Sequence, residues 1–575
     1  MTKKTISNTN ANFAWQYLKT EKRAFIIAII FVIINALLQT LTPIAIEYVI
    51  NNAIKTVNYP LLLQVTLAMC VLFLLEAGIF RYQVITVGHA AQRIMYKIRV
   101  NLFAHIQKLK TDFFNENQSG DLISRINSDT TLLDNFLGQY IFSFTSSFFV
   151  FIAFAIYLLI LNPFLALIAF GGVFLTVIIS LIIRPVVEKT NKAGLENNGK
   201  LKSYLVDNLN NYQVIQAYNI HTKLSSEFDK FNKDNQKANF YSRFFTNIFN
   251  PIYNLAGNLS LLAIIIAIFV LNGNNNSLSI GALVAFIFAV IKFFLPLREL
   301  GSVFASLAEA MAALTRIREI LDEPTSKVFS TESKNSLINT QLKTAIEFKN
   351  VSFTYHNSGQ KVFDKVSFSI PTNSKFAIIG PTGEGKSTLA KLMTGLLSES
   401  SGSIKIFGEE LKEWSQDDFY NSIGFILQDP FLFSGTVASN IVYGNIRYEK
   451  YNTSDSITLI SDLIKDIESH ELDKIIPNLQ EFLNTEVNNN SQNISQGQKQ
   501  IINFIRVLLR EPKILILDEA TANLDTITEQ YLQESLSNLT SKVTQIVIAH
   551  RQNTIQDADI VLSVGGGKAS VSENI

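Results

Sequence analysis

The sequence predicts a helical membrane domain of six spans followed by an α/β domain built on a largely parallel sheet. Three observations carry that prediction. Apolar runs of membrane-spanning length occur only up to Phe304; a polar stretch from Thr325 to Thr344 follows; and beyond it short aliphatic runs alternate with helical segments around the loop "GPTGEGKST", Gly380 to Thr388. A chain of 575 residues exceeds what one core can organise. An apolar share of 48% against 17% charged is high for a chain surrounded by water, and a net charge of +1 gives no reason to expect a nucleic-acid partner. The single cysteine, Cys70, excludes an internal disulfide and lies in an apolar run, as a lipid-facing or core residue does.

On a window of about 20 residues, the spans are Ala24 to Val49, Leu61 to Phe80, Phe136 to Leu161, Pro163 to Ile183, Ile252 to Leu271 and Ile280 to Phe304. The first is too long for the apolar core of a cleaved signal and lacks a small-residue cleavage site, so it is expected to remain as a span. Connections after the first, third and fifth spans are short and carry at most Lys55. The opposite side holds Lys3, Lys4, Lys19, Lys22, Arg23 and two long loops rich in lysine and arginine. The positive-inside rule therefore predicts that both termini are cytoplasmic, and the expected location is a bacterial cell membrane, as a multi-pass protein.

The loops Arg81 to Asn135 and Arg184 to Pro251 keep helical composition for long stretches. Thirty such residues at 1.5 Å each carry a helix roughly 45 Å beyond the bilayer, towards a cytoplasmic partner. In the first loop "NQSGD" breaks the helix, and Asp121 is expected to cap the next short one. The boundaries that follow are a membrane domain over 1–324, a linker over 325–344 and an α/β domain over 345–575. The strands of the latter are read in "AIEFKNVSFTY", "KFAIIG", "SIGFILQ", "ILILDEA", "TQIVIAH" and "DIVLSVG".

Strand, then Gly380-x-x-x-x-Gly385-Lys386-Ser387, then helix is the setting in which this glycine pattern becomes a phosphate site. Amides from Gly383 through Thr388 wrap a β-phosphate at a helix N-terminus, Lys386 neutralises β and γ oxygens, and Ser387 ligates Mg²⁺. "ILILDEA" ends a buried strand in two acids. Asp518 is suited to the Mg²⁺ shell and Glu519 to polarising a water. Downstream, "NISQGQKQIINF" sets Ser495 and Gly497 at a helix start, a second anion-facing terminus.

These motifs occur together in an order that resembles the ATP-binding cassette (ABC) transporters, and the whole chain resembles an exporter-type half-transporter. The resemblance implies ATP and Mg²⁺ as ligands, with Gly380, Thr382, Gly383, Gly385, Lys386, Ser387 and Thr388 around the phosphates. Tyr355 of "VSFTY" is similar to the aromatic that stacks on adenine, and Gln428 of "ILQDPF" to the glutamine that contacts Mg²⁺ and faces the membrane domain. "ISQGQKQ" resembles the family signature through Ser495, Gly497 and Gln498; Asp525 of "ANLD" matches the loop at the dimer interface, and His550 of "IVIAHR" the histidine that touches the γ-phosphate. Because the signature of one domain closes over ATP held by another, a chain with one of each must pair with a second half-transporter, as a homodimer or heterodimer. The implied function is export of a hydrophobic or amphipathic substrate (drug, lipid or peptide) across the bilayer by alternating access. An importer built on the same fold, or one half of a heterodimer with a degenerate site, is the alternative. "FFNENQSGDLISRINSD" and "NYQVIQAYNIHTKLSSEF" resemble the family's coupling segments.

Four departures from the family pattern stand out. Gln496 replaces the first signature glycine, Ile494 a leucine, and Glu384 a small residue of the phosphate loop, where its charge opposes ATP unless directed away. Asn488 and Asn489 stand where exporters carry a glycine-glutamate pair, which puts the usual contact to a coupling segment in doubt. Substrate identity is written less plainly. Glu76, Lys292, Arg298 and Glu299 lie in or near spans; Lys292 either lines a pathway, pairs with Glu76 or reaches an interface.

Overall fold

A computed structural model describes residues 3–117, 119–272, 279–325, 343–355, 361–449, 451, 456–476, 478–518, 529–532, 534, 536, 542–548 and 555–573. The chain forms two units, Met1–Gln107 with Ser119–Glu323, and Lys108–Gln118 with Pro324–Ile575.

In the first unit, α1 (Lys3–Thr20) precedes α2 (Lys22–Val49) and α3 (Tyr59–Ile106). The short α4 (Thr111–Glu116) belongs to the second unit. The first unit resumes with α5 (Ser119–Ser124), α6 (Thr130–Asn135), α7 (Ile141–Leu161), α8 (Pro163–Asn210), α9 (Tyr212–Tyr218), α10 (His221–Asn247), α11 (Phe249–Asn272), α12 (Ile280–Phe294) and α13 (Leu297–Asp322). Five continuous helical stretches are long and apolar enough to cross a membrane, and α12 is a shorter apolar helix of 15 residues. Asn58 and Asn162 start α3 and α8 by accepting backbone N–H groups, and a proline follows each at the first turn. Both α3 and α8 run for 48 residues, far past their apolar segments, as the loop composition predicts.

Two sequence expectations change. The sixth apolar run is not one helix to Phe304: α12 ends at Phe294 and α13 starts after Pro296, where the ring and missing N–H interrupt the helical hydrogen bonds, although α2 and α8 carry Pro43 and Pro185 inside. Asp121 is not a cap, because α5 already begins at Ser119; its carboxylate lies in the first turn and pairs with Arg125 at 2.8 Å.

Apolar faces sort by neighbour. Phe154, Phe286 and Phe293 are fully buried where α7, α8, α11 and α12 meet, and Phe151 stacks on Phe293 at 4.6 Å. The phenylalanine-rich third run is thus split, since Phe144 and Phe148 of the same helix stay exposed. Leu63, Leu67, Val71 and Leu74 of α3 are exposed, as is Cys70 among them, the expected state of a face turned to lipid. Outside the apolar region, Arg316 of α13 makes a bidentate contact with buried Asp129, with Nε at 2.8 Å, and fixes α13 to the π-helical turn Arg125–Asp129.

In the second unit the strands are β1 (Thr344–Thr354), β2 (Lys361–Pro371), β3 (Lys375–Ile379), β4 (Ser401–Ile406), β5 (Glu409–Glu410), β6 (Ile423–Ile426), β7 (Gly435–Thr436), β8 (Glu486–Val487), β9 (Ile514–Asp518), β10 (Thr544–Ile548), β11 (Ile560–Gly565) and β12 (Lys568–Glu573). Helices α14 (Lys386–Met393), α15 (Gln416–Ser422), α16 (Val437–Val442), α17 (Ser456–Ser469), α18 (Leu479–Asn484) and α19 (Gln496–Leu508) lie between them. One sheet has the order β12-β11-β3-β10-β9-β6, parallel except for β12; a second, antiparallel sheet runs β2-β1-β4-β5. Aromatic side chains pack the core between them, with Phe348 stacked on Phe368 at 4.5 Å and Phe363, Phe376 and Phe419 fully buried. All six strands read from the sequence are present.

Candidate active site

A parallel sheet gathers its loops at the carboxyl ends of its strands, where ligands bind in such folds. β3 leads there into the phosphate loop, β9 ends at Asp518 beside Ile548 of β10, and β6 ends two residues before Gln428. Gly380 adopts φ 155°, and a Cβ there would stand 2.2 Å from the carbonyl oxygen of Val564. Gly385, at φ 99°, caps α14 where a Cβ would meet Val362 at 2.7 Å and Phe363 at 2.9 Å. Glycine is required at both, by conformation and by space. The loop therefore presses against β11 of its own sheet and β2 of the other, while Thr382 and Gly383 form its exposed rim.

Lys386 opens α14 and is 6% exposed; its ammonium donates to the carbonyls of Gly380 at 2.7 Å and Pro381 at 3.1 Å. The cation is thereby held across the mouth of the loop. Ser387 is exposed, whereas Thr388 is buried and shares a 3.0 Å hydrogen bond with the Tyr355 hydroxyl. Tyr355 stands edge-on to Phe353 at 4.9 Å. Glu384 does not point at the phosphate positions: its carboxylate accepts the N–H of Gly566 at 2.8 Å, in the turn between β11 and β12. Nothing in the sequence pairs residues so far apart.

Ser495 is the N-cap of α19. Its hydroxyl accepts from the Gln498 N–H at 3.2 Å and the Gln498 side chain accepts from the Ser495 N–H at 3.0 Å, a reciprocal capping box. That S-x-x-Q spacing was readable in the sequence. Gly497 lies in the first turn of the same helix. The family departures here interact with one segment. Gln496 donates to Asp429 at 3.2 Å, Ser434 donates to Asn489 at 2.7 Å, and β7 pairs with β8. Asn493 clamps the turn by donating to Glu486 O at 2.6 Å and accepting from Asn488 N at 3.0 Å. The loop before α19 is thus joined to the stretch that follows Gln428. Arg506 anchors the other end of α19 by donating to Asn440 O at 2.7 Å; burial, with Arg510 nearby, pushes it down to about 10, which leaves it charged at neutral pH. Glu519, Asp525 and His550 lie outside the described residues.

Comparison with known proteins accounts for this arrangement. Residues 25–297 match the ABC transporter transmembrane region and residues 363–522 the ABC transporter domain. YfiC, an ABC transporter ATP-binding protein of Bacillus subtilis strain 168, is 31% identical over 566 residues, covering 96% of this chain and 89% of its own length. The chain belongs to the ABC transporter family. A fatty acid ABC transporter ATP-binding/permease protein of Mycobacterium bovis is 30% identical over 508 residues, 88% of this chain and 77% of that protein. In fold the transporter matches a bacterial Atm1-family ABC exporter with ATP bound, at TM-score 0.78 and 23% identity, over 96% of this chain and 95% of that one. It is an integral membrane ABC transporter ATPase, with the membrane region and the ATP-binding domain in one chain.

Proposed function

We propose that this transporter exports a hydrophobic or amphipathic molecule from the cytoplasmic side of a bacterial cell membrane, as a homodimer with two shared ATP sites. The observation that carries the reading is Lys386, buried at the start of α14 in a loop that leaves no room for a Cβ at Gly380 or Gly385. Excess lysine and arginine on the N-terminal segment and the two long loops supports cytoplasmic termini and a cytoplasmic ATPase domain.

Each site takes its phosphate loop, Tyr355, Gln428, Asp518, Glu519 and His550 from one chain, and Ser495, Gly497, Gln498 and Asp525 from the other. Among the described residues no group of three or more His, Cys, Asp or Glu forms a metal cage. The oxygens of Ser387, Asp518 and Gln428 suit Mg²⁺, which needs few protein ligands once phosphates and waters complete its shell. Bound there, Mg²⁺ would neutralise charge on the phosphates. Lys386 holds β and γ oxygens, Glu519 orients the water that attacks the γ-phosphorus, and His550 donates to the γ-phosphate. ATP shared between two surfaces holds them closed, and its cleavage removes the shared group.

Glu519→Gln is expected to keep ATP binding while hydrolysis falls about 10²- to 10⁴-fold, the size of a general-base contribution. Turnover by the purified variant at the wild-type rate would remove Glu519 from this role. In inside-out vesicles, ATP-dependent accumulation of an amphipathic probe is expected, abolished by Lys386→Ala; ATP-dependent loss of preloaded probe from those vesicles would reverse the direction.

A further inference from the structure

A cavity of about 390 Å³ lies in the membrane unit between α3 and the segment that leads into α7, within the size range of clefts that hold small ligands. α3 lines it with Gly88, His89 and Gln92, and the facing wall is Asp134 and Asn135 of α6 with Gln139 of the π-helical turn Phe136–Tyr140. Gly88 keeps the hollow open, since a Cβ there would meet no atom within 4 Å. Gln92 donates to Asp134 at 2.7 Å and so fixes a half-buried carboxylate in the wall, leaving its second oxygen outside that bond. Among the described residues no lysine or arginine forms an ion pair with Asp134, and none lines the cavity. The lining therefore carries one fixed negative charge among amide and imidazole groups.

The facing wall precedes Ile141, where the apolar α7 begins, by two to seven residues, about 3 to 10 Å at 1.5 Å per residue. That interval overlaps the head-group layer, about 5 to 8 Å thick on each side of the hydrocarbon. Towards the bilayer the same two helices carry exposed apolar residues: Ile85, which also lines the cavity, with Phe80 and Val84 on α3, and Phe144 and Phe148 on α7. The Phe80 and Phe142 rings lie 6.3 Å apart, so the two helices adjoin along this strip. A polar cavity of negative charge next to an apolar strip is complementary to an amphiphile with a cationic head. The concave wall concentrates a cation, and an ammonium has three N–H donors for the second Asp134 oxygen and the side-chain carbonyls of Asn135 and Gln139. Resting on the export reading above, we propose that this cavity is a loading site for the ammonium head group of a single-chain amphiphile drawn from the cytoplasmic leaflet. The chain of that amphiphile lies along the apolar strip.

The test uses the full-length transporter in a nonionic maltoside and reads displacement of tritiated dodecylamine by unlabelled dodecylamine, dodecyl glucoside and dodecanoate. Dodecylamine is expected to compete at about a tenfold lower concentration than the glucoside, the scale of one charge-assisted contact, and dodecanoate at no lower a concentration than the glucoside. Asp134→Asn keeps an acceptor for Gln92 and is expected to bring dodecylamine to the concentration of the glucoside. Gly88→Leu puts a side chain into the hollow with a residue that favours helix, and is expected to weaken dodecylamine about tenfold with Tm unchanged or higher. In inside-out vesicles Gly88→Leu is expected to raise the dodecylamine concentration that half-saturates ATP-dependent uptake, also about tenfold. Equal potency of amine and glucoside on the wild type overturns the proposal. So does either variant binding dodecylamine as the wild type does, or Asp134→Asn weakening all three probes together. Binding lost in Gly88→Leu with uptake kinetics unchanged overturns the loading role. Should a variant fail to accumulate, the wild-type order of potency decides alone. Selective amine binding by a protein whose ATPase is absent, or indifferent to Glu519→Gln, would be a failure of the export reading and not of the head-group site.

Discussion

At the scale of single residues, the phosphate loop separates what a motif can carry from what only folding supplies. Gly380 and Gly385 were legible because their spacing implies a backbone that no other residue adopts, and the contacts with Val564 and Phe363 give the reason. Glu384 was not legible. Read along the chain it is a negative charge beside ATP; in the fold its carboxylate is engaged by the N–H of Gly566. The two residues meet because β11 lies next to β3 in the sheet, a pairing no local pattern encodes. Glu384→Ala is accordingly expected to leave the KM for ATP within about threefold, and to lower stability by about 1 kcal/mol as one partly exposed hydrogen bond is lost. ATP-dependent kinetics and a denaturant titration measure the two effects. A tenfold fall in KM would show that the carboxylate opposes the nucleotide after all.

At the scale of elements, helix and strand identities followed from apolar period and length, while ends and ties depended on neighbours. The extent of α3 and α8 beyond the bilayer was readable from uninterrupted helical composition. The end of α12 at Phe294 was obscured because apolar residues continue past Pro296, so hydropathy alone runs through the interruption there, and a proline by itself does not mark one, since α2 and α8 carry Pro43 and Pro185 inside. The loop before α19 shows the same limit: its asparagines looked like losses from a family pattern, whereas Asn489 accepts from Ser434 and Asn493 holds the turn. Both contacts join segments that β7 and β8 already pair. Asn489→Glu retains an acceptor for Ser434 and adds a charge, so stability is expected to change by less than about 0.5 kcal/mol. The factor by which substrate stimulates ATPase is expected to change, with the KM for ATP held within about twofold, because stimulation reports coupling between sites. A changed KM with unchanged stimulation would move this loop from coupling to nucleotide binding.

At the scale of the whole molecule, the chain carries one phosphate loop and one capped signature helix, and in the proposed homodimer the catalytic constellation is completed between two chains. Two-fold symmetry of that proposed homodimer would give each of two equivalent sites Lys386 from one protomer and Ser495 from its partner. A Lys386→Ala homodimer then has two sites without the phosphate lysine. A Ser495→Arg homodimer has two sites with a bulky side chain at the N-terminus of α19 and without its capping hydroxyl. Both are expected to retain only a few per cent of wild-type ATPase, since removal of one transition-state contact costs about 10² or more. In a mixed dimer of the two variants, both lesions fall in one site and the other is native. Carrying different affinity tags on the two variants and purifying through both isolates that species, whose ATPase is expected to rise to roughly half of wild type, one intact site in two. Sites built within each chain would all keep a lesion, and the mixed species would be as inactive as its parents. A control pairing of Lys386→Ala with tagged wild-type chain decides whether one intact site turns over alone: activity there, with none in the mixed dimer, rules out sharing in trans. A wild-type chain that is inactive until a different half-transporter is added would replace the homodimer with a heterodimer, because the second signature would then have to come from another sequence.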